Sequence, residues 1–386
     1  MKITYTSPNA SHHYRYAREL DDQNYLFALI SGWPRFAPKG RSLRLHSKLV
    51  RVDHFQCLAL LFGHVLSSRD FFFALSNSAL DSISFEYASK SDIFLYYRTS
   101  GVNTNRRIKA AGLKTVCIME EVNSHVLSAH KLILQEYLKL GFSACDFPHP
   151  YDVGKRLDAY QISDYILCPS SFVKRSLQDQ GIPAEKIIVN SFGMAPVTLS
   201  TTTKKSMRPD KEIFRVLYVG QINIRKGLRY LVEAFGLIRH SRKELVLVGP
   251  MTSCTGLEKT MLPDNIYFKG LLSGNDLSEE YFAATVFVLP SIEEGMALVI
   301  GEAMASGLPV IATTNTGAED IMIDGKEGFI VRPCDSSALA DALQAVIDNP
   351  RLRDQMAANS LATATSFSSW QASTAKLANQ FSKLIH

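Results

Sequence analysis

Short apolar runs recur along this chain at the intervals an alternating strand–helix fold produces. Lys2 to Ser7 and Tyr25 to Ser31 read as strands, with a helical stretch, His12 to Asp22, between them. Ile93 to Tyr97 (IFLYY), Thr115 to Met119 (TVCIM) and Tyr165 to Pro169 (YILCP) have the length and apolar continuity of strands buried on both faces. Helices are predicted at Asn103 to Ala111, around Ala129 to Leu140, and at Ser171 to Gln180. Then the pattern lapses. Ala195 to Pro209 is rich in Thr, Ser and Lys, lacks apolar periodicity, and reads as a linker.

A second series follows. Strands are predicted at Phe214 to Gly220, Leu245 to Gly249, Asn265 to Gly270, Thr285 to Pro290 and Pro309 to Thr314. Helices are predicted at Leu228 to Arg239, Leu298 to Ser306, Ser336 to Asp348 and Arg351 to Ser366. This alternation predicts an α/β protein of two Rossmann-like parallel-sheet domains, 1–194 and 210–367, with a linker at 195–209. The tail, 368–386, is amphipathic, with Trp370, Leu377, Phe381 and Leu384.

Length agrees: 386 residues suit two domains of roughly 150 each. No apolar run approaches the ~18 residues of a membrane span, and Met1 to Tyr5 leads straight into a strand without a signal-peptide pattern. The six cysteines are scattered, which suits reduced thiols rather than zinc or a disulfide framework. A cytoplasmic protein is expected.

Charge is uneven. Through Ala195 there are 23 Lys and Arg against 17 Asp and Glu; the remainder carries 19 against 20. Gln23 to Val52 has no acid but holds Arg35, Lys39, Arg41, Arg44, Lys48 and Arg51 among apolar residues. Such a surface suits peripheral contact with an anionic inner membrane face, or is simply a solvated basic loop. No nucleic-acid motif accompanies it.

The stretch carrying most chemistry is Ser291 to Asp324. Two carboxylates, Glu294 and Glu302, flank the start of a small-residue helix inside a strand–helix–strand unit, at the carboxyl end of the sheet where open α/β folds bind ligands. Gly295 permits close backbone approach. The amides of Leu298 and Val299 lie at the positive end of the helix dipole and suit an anion such as a diphosphate. Carboxylates beside an anion site would bind hydroxyls, as on a nucleotide sugar; otherwise they are solvated charges at a helix start. Upstream, Gly220-Gln221 ends a strand, and Arg225 and Lys226 precede a helix start, where cations gain only from a bound anion. In the first domain, Glu120, Glu121 and His125 follow a predicted strand, and His12 and His13 begin the first helix. Either histidine site could touch a ligand or be structural.

Pro290-Ser291, Glu294-Gly295, Glu302-Ala303-Met304-Ala305, Gly307-Leu308-Pro309-Val310 and Gly317 resemble the signature of family 4 retaining glycosyltransferases, of GT-B architecture. The resemblance is dense in the C-terminal half and patchy before it. It implies two domains facing a cleft, with the acceptor in the first, the donor in the second, and the tail crossing back onto the first. It implies that Glu294 contacts donor-sugar hydroxyls, Glu302 the ribose, and Lys226 the phosphates. Gln221 stands where the family has an arginine, and Arg225 supplies that charge. The base would lie against the backbone near Gly270, Leu271 and Leu272, and His125 would face the donor sugar. Two departures stand out: Met296-Ala297 replaces Phe-Gly, and Pro8 to His13 lacks a glycine pair.

The expected activity is retaining transfer from a UDP- or GDP-linked sugar to a glycan, lipid-linked or small-molecule acceptor, in surface polysaccharide or glycoconjugate synthesis. No separate cofactor is implied. No Asp-x-Asp pair for a metal is found, so protein cations would steady the leaving diphosphate. A non-catalytic degenerate subunit and a GT-B nucleotide-sugar epimerase are the alternatives. An NAD-dependent dehydrogenase fits worst, because no G-x-G-x-x-G follows the first strand.

Overall fold

Among the described residues, thirteen short strands form two separate parallel sheets. In chain order they are β1 (Ile3–Ser7), β2 (Leu26–Ser31), β3 (Leu49–Arg51), β4 (Ile93–Tyr97), β5 (Val116–Glu120), β6 (Tyr165–Cys168), β7 (Ile187–Val189), β8 (Phe214–Val219), β9 (Lys243–Val248), β10 (Ile266–Gly270), β11 (Val286–Leu289), β12 (Val310–Thr313) and β13 (Gly328–Val331). The first sheet runs β3-β2-β1-β4-β5-β6-β7 and the second β10-β9-β8-β11-β12-β13. The structure is a computed structural model. It describes residues 1–37, 45, 48–62, 69–141, 150–194, 212–252, 255–257 and 262–385. The predicted linker at 195–209 lies outside the described residues, as do Lys39, Arg41 and Arg44 of the basic stretch.

Strand β11 is buried at every position, as its unbroken apolar sequence requires, and β1 is buried throughout although it carries Thr4, Thr6 and Ser7. In each sheet the strand order reverses once, between β1 and β4 and between β8 and β11. Loops diverge at such a reversal and leave a crevice at the carboxyl ends. The segments holding His12, Arg225 and Glu294 leave β1, β8 and β11 at those points.

Several elements differ from the sequence reading. The basic stretch ends in the edge strand β3, followed by helices His54–Phe62 and Arg69–Ala88. Two of its cations serve the fold. Arg35 bonds both oxygens of buried Asp53, at 3.1 and 2.9 Å, and Lys48 bonds Asp21 at 2.5 Å. Helices Pro150–Ile162 and Gly274–Ala283 and strand β7 complete the layers. No helix among the described residues is long and apolar enough to cross a membrane.

The two domains touch directly. Ser170 Oγ donates to the Gly295 carbonyl at 2.6 Å, and the Ser171 amide and hydroxyl donate to Asp320 at 2.8 and 2.6 Å. The close approach at Gly295 is by protein: a Cβ there would sit 1.4 Å from the Val122 carbonyl oxygen. Helix Trp370–Ser382 returns to the first domain, where Trp370 meets Tyr16 edge to face at 5.4 Å. Asn190 Nδ2 donates to Ser373 Oγ at 3.1 Å in the same contact.

Candidate active site

The second-domain wall begins after β8. Asn223 caps a single 3₁₀ turn, Ile224–Lys226, by accepting from the Lys226 amide at 3.2 Å. Gly227 follows at φ 66°, where a Cβ would strike the Pro290 carbonyl at 2.1 Å. The turn delivers both cations to the loop after β11. That loop is pinned by the Glu294 amide donating to the Asn315 carbonyl and the Ile292 amide to the Arg225 carbonyl, each at 2.9 Å.

Glu294 is clasped by both cations. Its Oε2 accepts from Arg225 Nη1 at 3.1 Å and pairs with Lys226 Nζ. Burial alone would push this carboxyl up, but the two positive charges outweigh it and hold it below its usual range. Burial, helped by Arg225, lowers the Lys226 ammonium. Arg225 is raised, because Glu294 and Glu293 overcome the effect of burial. The next carboxylate, Glu293, is 2% exposed and reaches across the domain boundary. It accepts from the Ser124 amide and hydroxyl, both at 2.9 Å.

Glu302 sits differently. It projects from helix Leu298–Ala305, accepts from the Tyr281 hydroxyl at 3.0 Å, and is raised by burial. No ion pair holds it among the described residues. The helix starts at Ala297 without a side-chain cap, so the first amides, those of Leu298 and Val299, keep their donor capacity. A cavity of about 230 Å³ between the domains is lined by Leu298 and Glu302 on one side and Ser11, His12 and Arg15 on the other.

The remaining predicted donor residues sit around this wall. Gly220 follows β8, and exposed Gln221 accepts from the Tyr218 hydroxyl through its carbonyl at 2.6 Å. Gly270 lies at φ 67° at the end of β10, and Leu271 beside it is 77% exposed. Met296 is buried, its sulfur accepting from the Phe192 amide at 3.3 Å, and Ala297 is buried beside it.

His125 does not line the cavity. It caps helix Val126–Lys139, its Nδ1 accepting from the Leu127 amide at 3.3 Å, and its ring stacks on Tyr160 at 4.4 Å. It is 2% exposed, and burial lowers its pKa to about 4, so it is neutral at physiological pH. The expected sugar-facing histidine is therefore a helix cap here.

The first-domain histidine on the cavity is His12. Its Nε2 lies 2.7 Å from Glu120 Oε1, while His13 Nδ1 approaches Glu120 Oε2 at 3.1 Å and Tyr5 donates to the same oxygen at 2.6 Å. Burial would raise Glu120, yet His12 and His13 hold it far below the usual carboxylate range. Burial and the neighbouring His12 lower His13 to about 4, against the pull of Glu120. Among the described residues these are the three whose ligand atoms come close enough to share a metal. The 2.7 Å contact between His12 and Glu120 is a direct hydrogen bond.

Sequence reasoning missed Glu120 as the partner of His12, and Glu293 altogether. β1 and β5 both pair with β4, which brings the ends of these distant segments together. The signal available was Glu120 closing an otherwise apolar strand, since a buried charge requires partners.

Residues 200–362 match the family described as "Glycosyl transferases group 1". A sulfoquinovosyl transferase of Arabidopsis thaliana is 29% identical over 57% of this chain and 45% of its own. An alpha-D-kanosaminyltransferase of Streptomyces kanamyceticus is 33% identical over 37% of this chain and 39% of its own. The chain thus spans about half the length, or less, of these curated relatives. Among solved structures, HepE of Anabaena in complex with UDP and glucose aligns with TM-score 0.70 at 16% identity, covering 99% of this chain and all of that one. A sucrose-phosphate synthase of Thermosynechococcus elongatus also gives 0.70, at 18% identity, over 100% and 99%. The chain has the GT-B fold, and its residues 200–362 resemble the group 1 glycosyl transferases.

Proposed function

We propose that this protein transfers a sugar, with retention, from a UDP- or GDP-linked donor to a glycan, lipid-linked or small-molecule acceptor, in polysaccharide or glycoconjugate synthesis. The observation that carries this reading is Glu294 clasped by Arg225 and Lys226 beside the uncapped start of helix Leu298–Ala305. A nucleotide sugar supplies what each group lacks. Its diphosphate would meet the cations and the Leu298 and Val299 amides, and its sugar hydroxyls would take over Glu294. Glu302, raised by burial and held by one phenol, gains a hydrogen-bond donor from the ribose. HepE, whose structure was determined with UDP-glucose, supports a UDP-linked donor.

The departing diphosphate takes on negative charge in the transition state, where preorganised cations and helix amides act most strongly. They require no metal for that task. His125 contributes by positioning: as a cap it fixes the segment Asn123–Ser124 that meets Glu293. The basic stretch, with Lys39, Arg41 and Arg44, would provide peripheral contact with an anionic inner membrane face, which suits a lipid-linked acceptor and a cytoplasmic site of action.

A thermal-shift panel tests the reading, with UDP, GDP, ADP, their common sugar conjugates and NAD. Wild type should be stabilised by one nucleotide family, and Glu302→Ala should lose most of that shift. If no nucleotide stabilises the wild type, the transferase reading fails.

A further inference from the structure

A nucleoside diphosphate leaves a sugar without needing a proton, but an acceptor hydroxyl must lose one. In a front-face reaction that proton can go to the departing phosphate oxygen or to a protein base. We propose that His12, with its ring held by Glu120, is that base: it takes the acceptor proton on Nδ1. This inference rests on the transferase reading above.

The tautomer supports it. Glu120 is a 1% exposed carboxylate that can only accept, so at 2.7 Å it receives the hydrogen of His12 Nε2. A neutral ring fixed in that way carries its lone pair on Nδ1. Although His12 occupies the cap position of helix His13–Asp22, its side chain caps no amide. His12 lines the interdomain cavity together with Glu302 and Leu298. His13 cannot take this role, because its Nδ1 is engaged by Tyr5 and Glu120 and its Nε2 is buried without a partner. Packing holds the His12 ring in place, against His13 at 3.9 Å and Phe192 at 4.5 Å.

The step balances. The acceptor O–H bond breaks and its proton passes to Nδ1, while the oxygen bonds the anomeric carbon. The bond from that carbon to the diphosphate oxygen breaks, and its electron pair leaves on the phosphate. Glu120 then faces an imidazolium and stabilises it, as a positioning residue. Arg15 of the first domain also lines this cavity; its charge acts on Glu302 and its guanidinium lies over the Trp370 ring at 5.3 Å.

The test uses the full-length protein and the nucleotide sugar giving the largest thermal shift, so that its outcome is separate from the donor assay. Nucleoside diphosphate release is measured with water as the acceptor and then with sodium azide, an anion with no proton to lose. His12→Asn should bind the donor with unchanged Kd yet release diphosphate in water at least about a hundredfold more slowly than wild type. Azide should restore release to within a few-fold and yield the glycosyl azide. Glu120→Gln should show the same pattern with a smaller loss, and it decides the matter if His12→Asn does not fold. Wild-type rates in water for both variants would overturn the proposal. So would a Kd that weakens in step with the rate, which makes His12 a donor ligand, or a wild type that binds donor but releases no diphosphate with either acceptor.

Discussion

The two walls of the cleft are built on opposite electrostatic plans. In the second domain, two cations share one functional carboxylate and hold it below its usual range. In the first domain, one buried carboxylate serves two imidazoles, one of which lines the cavity. A wall of fixed charge suits a ligand that arrives and leaves as an anion. Histidines against a carboxylate suit a proton that must move. On the proposed reading, one fold used twice carries two kinds of chemistry.

The sharpest way to break this comparison is Glu294→Ala. It leaves Lys226 without its carboxylate in a largely buried setting, with Arg225 still held by Glu293, and removing one member of such a group costs about 3 kcal/mol. Turnover should fall by two orders of magnitude or more, because the sugar loses its anchor and the cations their placement. The wild-type carboxyl is lowered in the fold, so its stabilisation is present above the unfolded value and lost as pH falls through the folded one. Urea unfolding of the variant should therefore show less decline at acid pH. Equal stability of variant and wild type at pH 7 would mean that the clasp contributes nothing.

Next in size is an acid effect from the first domain. His13 and His125 are both lowered from 6.5 to about 4 by burial. The fold keeps them neutral while the unfolded chain protonates them. Their contribution is whole above pH 6.5 and declines as pH falls to about 4, by on the order of 3 kcal/mol each. His125→Asn preserves an N-cap and removes one titration, so its stability should fall less steeply across that window. Donor-dependent activity at pH 7.5 should stay within a few-fold of wild type. A collapse of turnover in a well-folded variant would return His125 to the sugar.

A smaller effect is expected at the seam. A cavity of about 230 Å³ is below the ~300–1,000 Å³ of typical ligand sites, so a whole nucleotide sugar calls for the domains to part. Glu293, bonded to Ser124, crosses that seam. Glu293→Gln should loosen it and increase the radius of gyration without donor, measured by small-angle scattering. An unchanged radius would show that Ser170, Ser171 and Asp320 hold the closed form unaided.

How much of this was legible follows from sequence distance. Glu294, Glu302 and the helix amides lie within one strand–helix–strand unit, where local pattern alone places them. Arg225 and Lys226 were readable because cations at a helix start oppose its dipole and call for an anion. His12 and Glu120 are 108 residues apart, and only strand order joins them. Gly295 was read as room for a ligand, yet the atom it admits is the Val122 carbonyl, which no local pattern reveals. Helix Arg69–Ala88 escaped notice because apolar residues surround it without one polar face, which blurs its period.

The finest test contrasts the two glutamates of the donor wall. Glu294 is lowered by its cations, whereas Glu302 is raised, burial outweighing the Tyr281 hydrogen bond and the charge of Arg15. A carboxyl raised by folding costs stability above its folded pKa, and the cost is relieved as pH falls through that value. Glu302→Gln removes the charge yet can still accept from Tyr281. The empty variant should therefore be slightly more stable than wild type at pH 8, by less than about 1 kcal/mol, with the difference shrinking toward pH 4. The same change should reduce the nucleotide-induced thermal shift, since an amide accepts more weakly than a carboxylate from a ribose hydroxyl. Gain without ligand and loss with it is what a residue kept for binding must show. If Glu302→Gln destabilises the empty protein at pH 8, the carboxylate has structural partners instead, and the two glutamates are not the opposites their surroundings make them.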